Sequence, residues 1–203
     1  MRERHLAIFL SKLNPQPCKH VELEQYSTDG NIASKFISSI ISYGDLSDDT
    51  IVGDLGAGNG ILGIGALRVG AEKCIFLETD SLACKIIEKN LDVNNLDKSG
   101  FILNEHLDGD TIFPKVDLIV CNPPWGRQKD RADRPFLDLI IKNGTTSYLM
   151  HSTHATHIRT FFELRNWSVE KYNEFDFVLP GIYSHHSKER DSTKVGFYRL
   201  SPN

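Results

Sequence analysis

The chain has little cysteine, no excess of positive charge and no long apolar run, and each shortage removes a class of protein. Only four cysteines occur among 203 residues (Cys18, Cys74, Cys84 and Cys121), far apart and with no CxxC pair. Neither a disulfide scaffold nor a zinc ribbon is built that way, and a reducing cytoplasm is the plainest setting. The formal net charge is -4, so bulk basicity gives no argument for nucleic-acid binding and leaves only local basic faces. No apolar stretch approaches the ~20 residues that cross a bilayer, which excludes a transmembrane protein. Internal repeats and low-complexity segments are absent too. What remains is ordinary globular usage, 40% hydrophobic and 25% charged, at a length suited to one compact unit.

The start, MRERHLAIFLSKL, is basic and then partly apolar, as a targeting segment is. Yet Leu6, Phe9, Leu10 and Leu13 recur at helical spacing with Arg2, Arg4 and Lys12 between them. This predicts a short amphipathic helix docked on the domain and stopped by Asn14, Pro15 and Pro17. Thr28, Asp29 and Asn31 offer caps to a second helix carrying Ile32, Phe36 and Ile40. From there short β-branched runs alternate with helical periodicity. Strands are expected at 51–55, 74–78, 101–103, 117–121 and 147–150. Helices are expected from the glycine-rich stretch through Arg68, from a cap at Asp80 or Ser81 to near Asn90, around Phe136, Leu137, Ile140 and Ile141, and over 154–164. That alternation reads as βα units and a mainly parallel sheet. The tail differs: 168–179 and 194–200 resemble two long strands with no helix between, an antiparallel hairpin completing the sheet.

Chemistry concentrates at two places. Asp54-Leu55-Gly56-Ala57-Gly58-Asn59-Gly60 ends a strand and opens a helix. Glycines let the backbone turn tightly and approach a ligand, and a helix start leaves amide donors free. Glu78, at the end of the next strand, is placed to accept hydrogen bonds from a ribose. Gly58, Gly60 and Gly63 satisfy G-x-G-x-x-G, so a dinucleotide remains in play. An acid two residues before the first glycine favours the zwitterionic S-adenosylmethionine, because a pyrophosphate would be repelled there.

The second place is Asn122-Pro123-Pro124-Trp125, directly after a strand and so at the carboxyl edge of the sheet. Successive prolines stiffen the loop and bias Asn122 towards an extended backbone. The Asn122 side chain and the Pro123 carbonyl then act as fixed acceptors, and Trp125 offers a flat face for stacking. Two acceptors on the hydrogens of a planar amine favour a tetrahedral nitrogen whose lone pair can face a methyl donor. Alignment and preorganised dipoles would supply most of the acceleration.

At these two motifs the chain resembles the Rossmann-like (class I) S-adenosylmethionine-dependent methyltransferases, in the branch whose NPP-aromatic loop methylates planar nitrogens. Leu23-Glu24-Gln25-Tyr26-Ser27-Thr28 also resembles the EQYxT segment of the archaeal and eukaryotic METTL-type adenine-N6 methyltransferases acting on small-subunit ribosomal RNA. The resemblance covers nearly the whole chain. It implies an α/β, Rossmann-like seven-stranded, mostly parallel sheet with helices on both faces and a C-terminal antiparallel hairpin. Residues 1–50 would form a helical extension contributing to the cofactor site, and 51–203 the methyltransferase domain. By the same resemblance Gln25 and Thr28 touch the methyl donor, and Gly56, Asn59 and Ile61 line the glycine loop. Glu78 binds the ribose, Glu105 and His106 flank the cofactor adenine, and Asn122 to Trp125 hold the target base. Trp125 replaces the commoner Phe or Tyr, and Asn59 and Glu78 replace Cys and Asp. A small zinc-ribbon activator is the implied partner, at an exposed sheet edge near Phe101.

If the substrate is a base within RNA, that base must leave its stack to reach Trp125. Phosphate contacts are expected from Arg127, Lys129, Arg131 and Arg134 and from His185, His186, Lys188 and Arg190. Acids interleave both clusters (Asp130, Asp133, Glu189, Asp191), so solvated loops compete with that reading. His151, His154 and His157 invite a metal, but a strand end and a helix start are expected to make them diverge, and no metal is assigned. Competing functions are methylation of a protein glutamine, of a DNA adenine or of an RNA guanine. A nicotinamide dehydrogenase and an inactive cofactor-binding subunit complete the alternatives. Only about fifty residues precede the first strand, which counts against the glutamine enzymes with their added N-terminal helical domain. The dehydrogenase offers NPPW no role.

Overall fold

The computed structural model describes residues 1–15, 28–126, 131–178 and 192–203. Among these residues two helices come first, α1 (Glu3–Leu10) and α2 (Gly30–Tyr43). Next come β1 (Ile51–Leu55), α3 (Ile61–Val69), β2 (Lys73–Glu78), α4 (Ser81–Val93), β3 (Gly100–Asn104) and β4 (Leu118–Cys121). The chain ends with α5 (Arg134–Asn143), β5 (Ser147–Ser152), α6 (His157–Glu163), β6 (Trp167–Val178) and β7 (Ser192–Pro202).

The strands form one seven-stranded sheet in the order β3-β2-β1-β4-β5-β7-β6. The first five strands in chain order pair in parallel, whereas β7 pairs antiparallel with both β5 and β6. Alternation along the central strands splits the core. Val120, Tyr148 and Phe197 join Phe36, Ile64 and Ile87 in one cluster, and their neighbours Ile119, Leu149 and Tyr198 join Leu137, Ile140 and Phe162 in another. Helices α1 to α4 therefore cover one face and α5 and α6 the other, as a buried parallel sheet requires.

The N-terminal helix belongs to the first of these clusters through Leu6 and Leu10. It crosses α2 so closely that a Cβ at Gly30 would lie 2.8 Å from the Ser11 amide nitrogen. Asp29 caps α2, its carboxylate accepting from the Asn31 amide at 2.8 Å, and Gly44 closes it in a left-handed conformation (φ 77°). The strand bounds agree with the sequence reading to within two residues at most ends. The last helix does not: α6 starts at His157, because 153–156 form a turn after β5.

Candidate active site

Everything chemical gathers where the strand order reverses. β1 and β4 are neighbours although β2 and β3 lie between them in the chain, and their last residues, Leu55 and Cys121, are register partners. The glycine loop and the Asn-Pro-Pro-Trp loop thus leave the sheet side by side at a topological switch point, the usual ligand crevice of open α/β sheets.

Gly56, Gly58 and Gly60 all have positive φ (68°, 60° and 80°), which side-chain-bearing residues rarely adopt. The loop is pinned from behind: the Gly56 and Ala57 amides donate to the Leu77 carbonyl at 2.9 and 3.1 Å. Glu78 is buried, and its carboxylate accepts from the Gly58 amide at 2.8 Å and the Asp80 amide at 2.9 Å. Burial raises its pKa above the usual carboxylate value, against the lowering effect of those amide bonds. Each oxygen keeps a further lone pair, so the carboxylate is oriented and still able to accept from a diol.

Asp54 is also buried, and one oxygen accepts from the Gly63 amide at 2.8 Å, in the first turn of α3. Desolvation pushes its pKa up to about 8, with the Gly63 bond opposing and the nearby Glu78 charge adding to the rise. Its visible role is to fix the helix behind the loop. Ile61 opens α3 and is buried in the core. Asn59 is buried, and its side-chain NH2 donates to the Asn14 carbonyl at 3.2 Å. Glu105 and His106 are exposed just beyond β3, and His106 Nδ1 lies 3.4 Å from the Thr79 hydroxyl, next to Glu78.

One residue to which sequence reasoning gave no role at the site holds this loop. Asn90, read only as a helix end, is fully buried. Its side-chain oxygen accepts from the Asn14 backbone and side-chain amides, each at 2.8 Å, and its NH2 donates to the Asn59 carbonyl at 3.0 Å. The signal was available: Asn90 follows Ala83 and Ile87 along the apolar stripe of α4, where a polar side chain needs a built partner.

In the second loop Pro123 is buried, while Asn122, Pro124 and Trp125 are half-buried. The Asn122 NH2 donates to the Thr28 hydroxyl at 3.1 Å, and the Trp125 indole N–H donates to Asn122 Oδ1 at 3.3 Å. Both ends of the amide are engaged, so its oxygen is held as an acceptor beside the indole. Thr28, assigned by resemblance to the methyl donor, here has the Asn122 side chain as its partner. Gln25 lies outside the described residues.

The basic clusters fare unevenly. Arg127, Lys129, His185, His186, Lys188 and Arg190 lie outside the described residues. Arg131 adopts positive φ (56°). Arg134 pairs with Asp138 at 2.9 Å and stacks over Phe161 at 4.5 Å. Asp133, grouped with solvated acids in the sequence, is buried instead. The three histidines do not all diverge either. His151 and His157 meet at the Asp133 carboxylate, because the turn after β5 folds α6 back towards it, while His154 stays exposed. Phe101 is 49% exposed on β3, which is an edge strand as expected. Among the described residues no helix is long and apolar enough to cross a membrane.

The rRNA N(6)-adenosine-methyltransferase METTL5 of Danio rerio is 30% identical over 89% of this chain and 89% of its own length. The chain belongs to the METTL5 family. An uncharacterised protein of Methanocaldococcus jannaschii is 28% identical over 98% of this chain and 94% of its own length. The crystal structure of a candidate RNA methyltransferase from Pyrococcus horikoshii superposes with TM-score 0.87 at 32% identity, covering 100% of this chain and 98% of that one. A family model described as ribosomal protein L11 methyltransferase (PrmA) matches residues 36–123. Membership of the METTL5 family makes this an S-adenosylmethionine-dependent methyltransferase of Rossmann-like fold, and the positive-φ glycine loop and buried Glu78 fit that cofactor.

Proposed function

We propose that the chain methylates the exocyclic N6 amine of an adenine in structured RNA, with small-subunit ribosomal RNA as the substrate. The observation that carries this reading is the pairing of Leu55 with Cys121, which sets a glycine loop suited to S-adenosylmethionine beside the Asn122–Trp125 loop.

S-adenosylmethionine supplies an electrophilic methyl group when bound. Gly56, Gly58 and Gly60 give it a close backbone approach, and Glu78 accepts from the ribose hydroxyls. Asp54, Asn59 and Ile61 fix the loop, Glu105 and His106 flank the adenine ring, and Gln25 and Thr28 approach from the N-terminal side. In this arrangement the first fifty residues complete the cofactor site of a domain formed by 51–203. Asn122 Oδ1 and the Pro123 carbonyl accept the two hydrogens of the target amine and turn its lone pair towards the methyl group. Trp125 stacks the flipped base. The methylated nitrogen would carry positive charge and be acidic enough to release its proton to water, so the site would need no strong base.

One observation favours a protein acceptor, the match to the L11 methyltransferase family model. That match stops at Pro123, so it covers the donor half and the start of the acceptor loop. The full-length likeness to an rRNA adenosine enzyme supports RNA. A zinc-ribbon activator adding a strand at Phe101 and a cytoplasmic setting complete the proposal.

The test supplies labelled methyl donor to separate pools of small-subunit ribosomal RNA, tRNA, DNA and ribosomal proteins, with Asn122→Ala as control. Label recovered as N6-methyladenosine from ribosomal RNA, and lost in the control, is the expected result. Label confined to protein overturns the substrate assignment.

A further inference from the structure

Behind the base-stacking indole lies a cluster that the chemistry above does not use. Asp133 Oδ2 sits 3.2 Å from His151 Nε2 and 2.6 Å from His157 Nε2, so one carboxylate oxygen serves two imidazoles. Asp133 and His151 are 4% and 1% exposed, whereas the His157 side chain is 54% exposed. The ring of His151 lies 6.3 Å from that of Trp125 at 33°, and 5.6 Å from that of His157 at 87°.

Two histidines and an aspartate with converging donor atoms also describe a metal site. Two features weigh against it. A metal-bound histidine almost always passes its other ring N–H to an acceptor, yet His151 Nδ1 is buried with no hydrogen-bond partner among the described residues. Both nitrogens also lie at hydrogen-bond distance from the same oxygen, so the donor set closes on itself. A bare Nδ1 is tolerable only as an acceptor, which assigns the proton of His151 to Nε2, facing Asp133. The two imidazole bonds outweigh the burial of Asp133 and hold its carboxyl below the usual aspartate value.

We infer that His151, locked by Asp133 and His157, is a positioning residue that sets the tilt of the Trp125 indole and through it the seat of the target base. The chain of contact runs from Asp133 through the His151 ring to Trp125, and from the Trp125 N–H to Asn122 Oδ1. Removing the imidazole leaves a space under the indole while every group of the cofactor loop stays in place. The inference rests on the proposed function for its kinetic readout and carries a second readout that does not.

Three measurements on His151→Leu and on His157→Ala, whose side chain is exposed, test it. Steady-state kinetics on an unmodified small-subunit ribosomal RNA transcript are expected to show acceptor KM raised about tenfold for His151→Leu and about threefold for His157→Ala, roughly the loss of one charge-assisted hydrogen bond or less. Affinity for S-adenosylhomocysteine should stay within about twofold. In a Trp167→Phe background, which leaves Trp125 as the sole indole, emission should shift to the red in both variants. Unchanged acceptor KM together with unchanged emission overturns the inference, as does stoichiometric zinc retained by the purified protein. If wild type transfers no methyl to RNA but the emission shift appears, the substrate reading fails and the positioning role stands.

Discussion

The Thr28 hydroxyl accepts a hydrogen bond from the Asn122 side chain at 3.1 Å, joining the entrance of α2 to the loop after β4. An amide side chain can flip between two orientations that exchange donor and acceptor. The Trp125 indole N–H, which can only donate, fixes Oδ1 on its side at 3.3 Å, and the Thr28 hydroxyl then takes the NH2 at the other end. Thr28→Val keeps the shape and removes the acceptor. The expected outcome is a kcat about fivefold lower, the effect of ~1 kcal/mol, with affinity for S-adenosylhomocysteine changed less. Single-turnover methyl transfer measures it.

Asn90 ties Asn14 to the carbonyl of Asn59, so the N-terminal segment and the glycine loop share one buried side chain. Asn90→Ala strands several of those groups, each costing about 1–3 kcal/mol when left unpaired. The variant should melt at lower temperature, by at least ~2 kcal/mol in stability, and bind S-adenosylhomocysteine several-fold more weakly. Thermal unfolding and calorimetric titration check the two effects separately.

Gly63 marks how tightly α3 presses on the sheet. A Cβ there would stand 2.4 Å from the Phe76 ring and 2.5 Å from Cys74 Sγ. Gly63→Ala is expected to cost about 1–3 kcal/mol through overpacking, outweighing any gain in helix propensity. Chemical denaturation measures the difference.

Burial raises the pKa of Asp54 to about 8, so between the ordinary aspartate value and that pH the folded chain holds a proton that the unfolded chain has released. Stability from this group is therefore present below the ordinary value and is lost progressively as pH rises towards 8. The cofactor-free protein should lose stability across that range, and Asp54→Asn, which keeps an acceptor for Gly63, should flatten the dependence. Denaturation midpoints at a series of pH values decide it. A wild-type midpoint that climbs from pH 5 to pH 8 would contradict the assignment.

Local pattern made much of this molecule legible. Strand β1 was readable to the residue because β-branched residues end at a glycine loop, and the caps Asp29 and Asp80 were readable from their chemistry. The glycine loop and the Asn-Pro-Pro-Trp loop announced themselves by residue type. What stayed hidden depends on distance in the chain. Asn90 looked like the end of a helix, since its partners at Asn14 and Asn59 become neighbours only once α1 and α3 pack together. Asp133 looked like a solvated acid among arginines, and the two histidines that bury it come from β5 and α6. Spacing along one chain carries no record of such meetings.

A crystal structure with S-adenosylhomocysteine bound tests most directly whether the two loops bring donor and acceptor together. The thioether sulfur is predicted to lie above the ends of β1 and β4, facing the Asn122 side-chain oxygen across a gap the width of one planar amine. A sulfur pointing away from Asn122, or an indole of Trp125 filling that gap with ligand present, would contradict it.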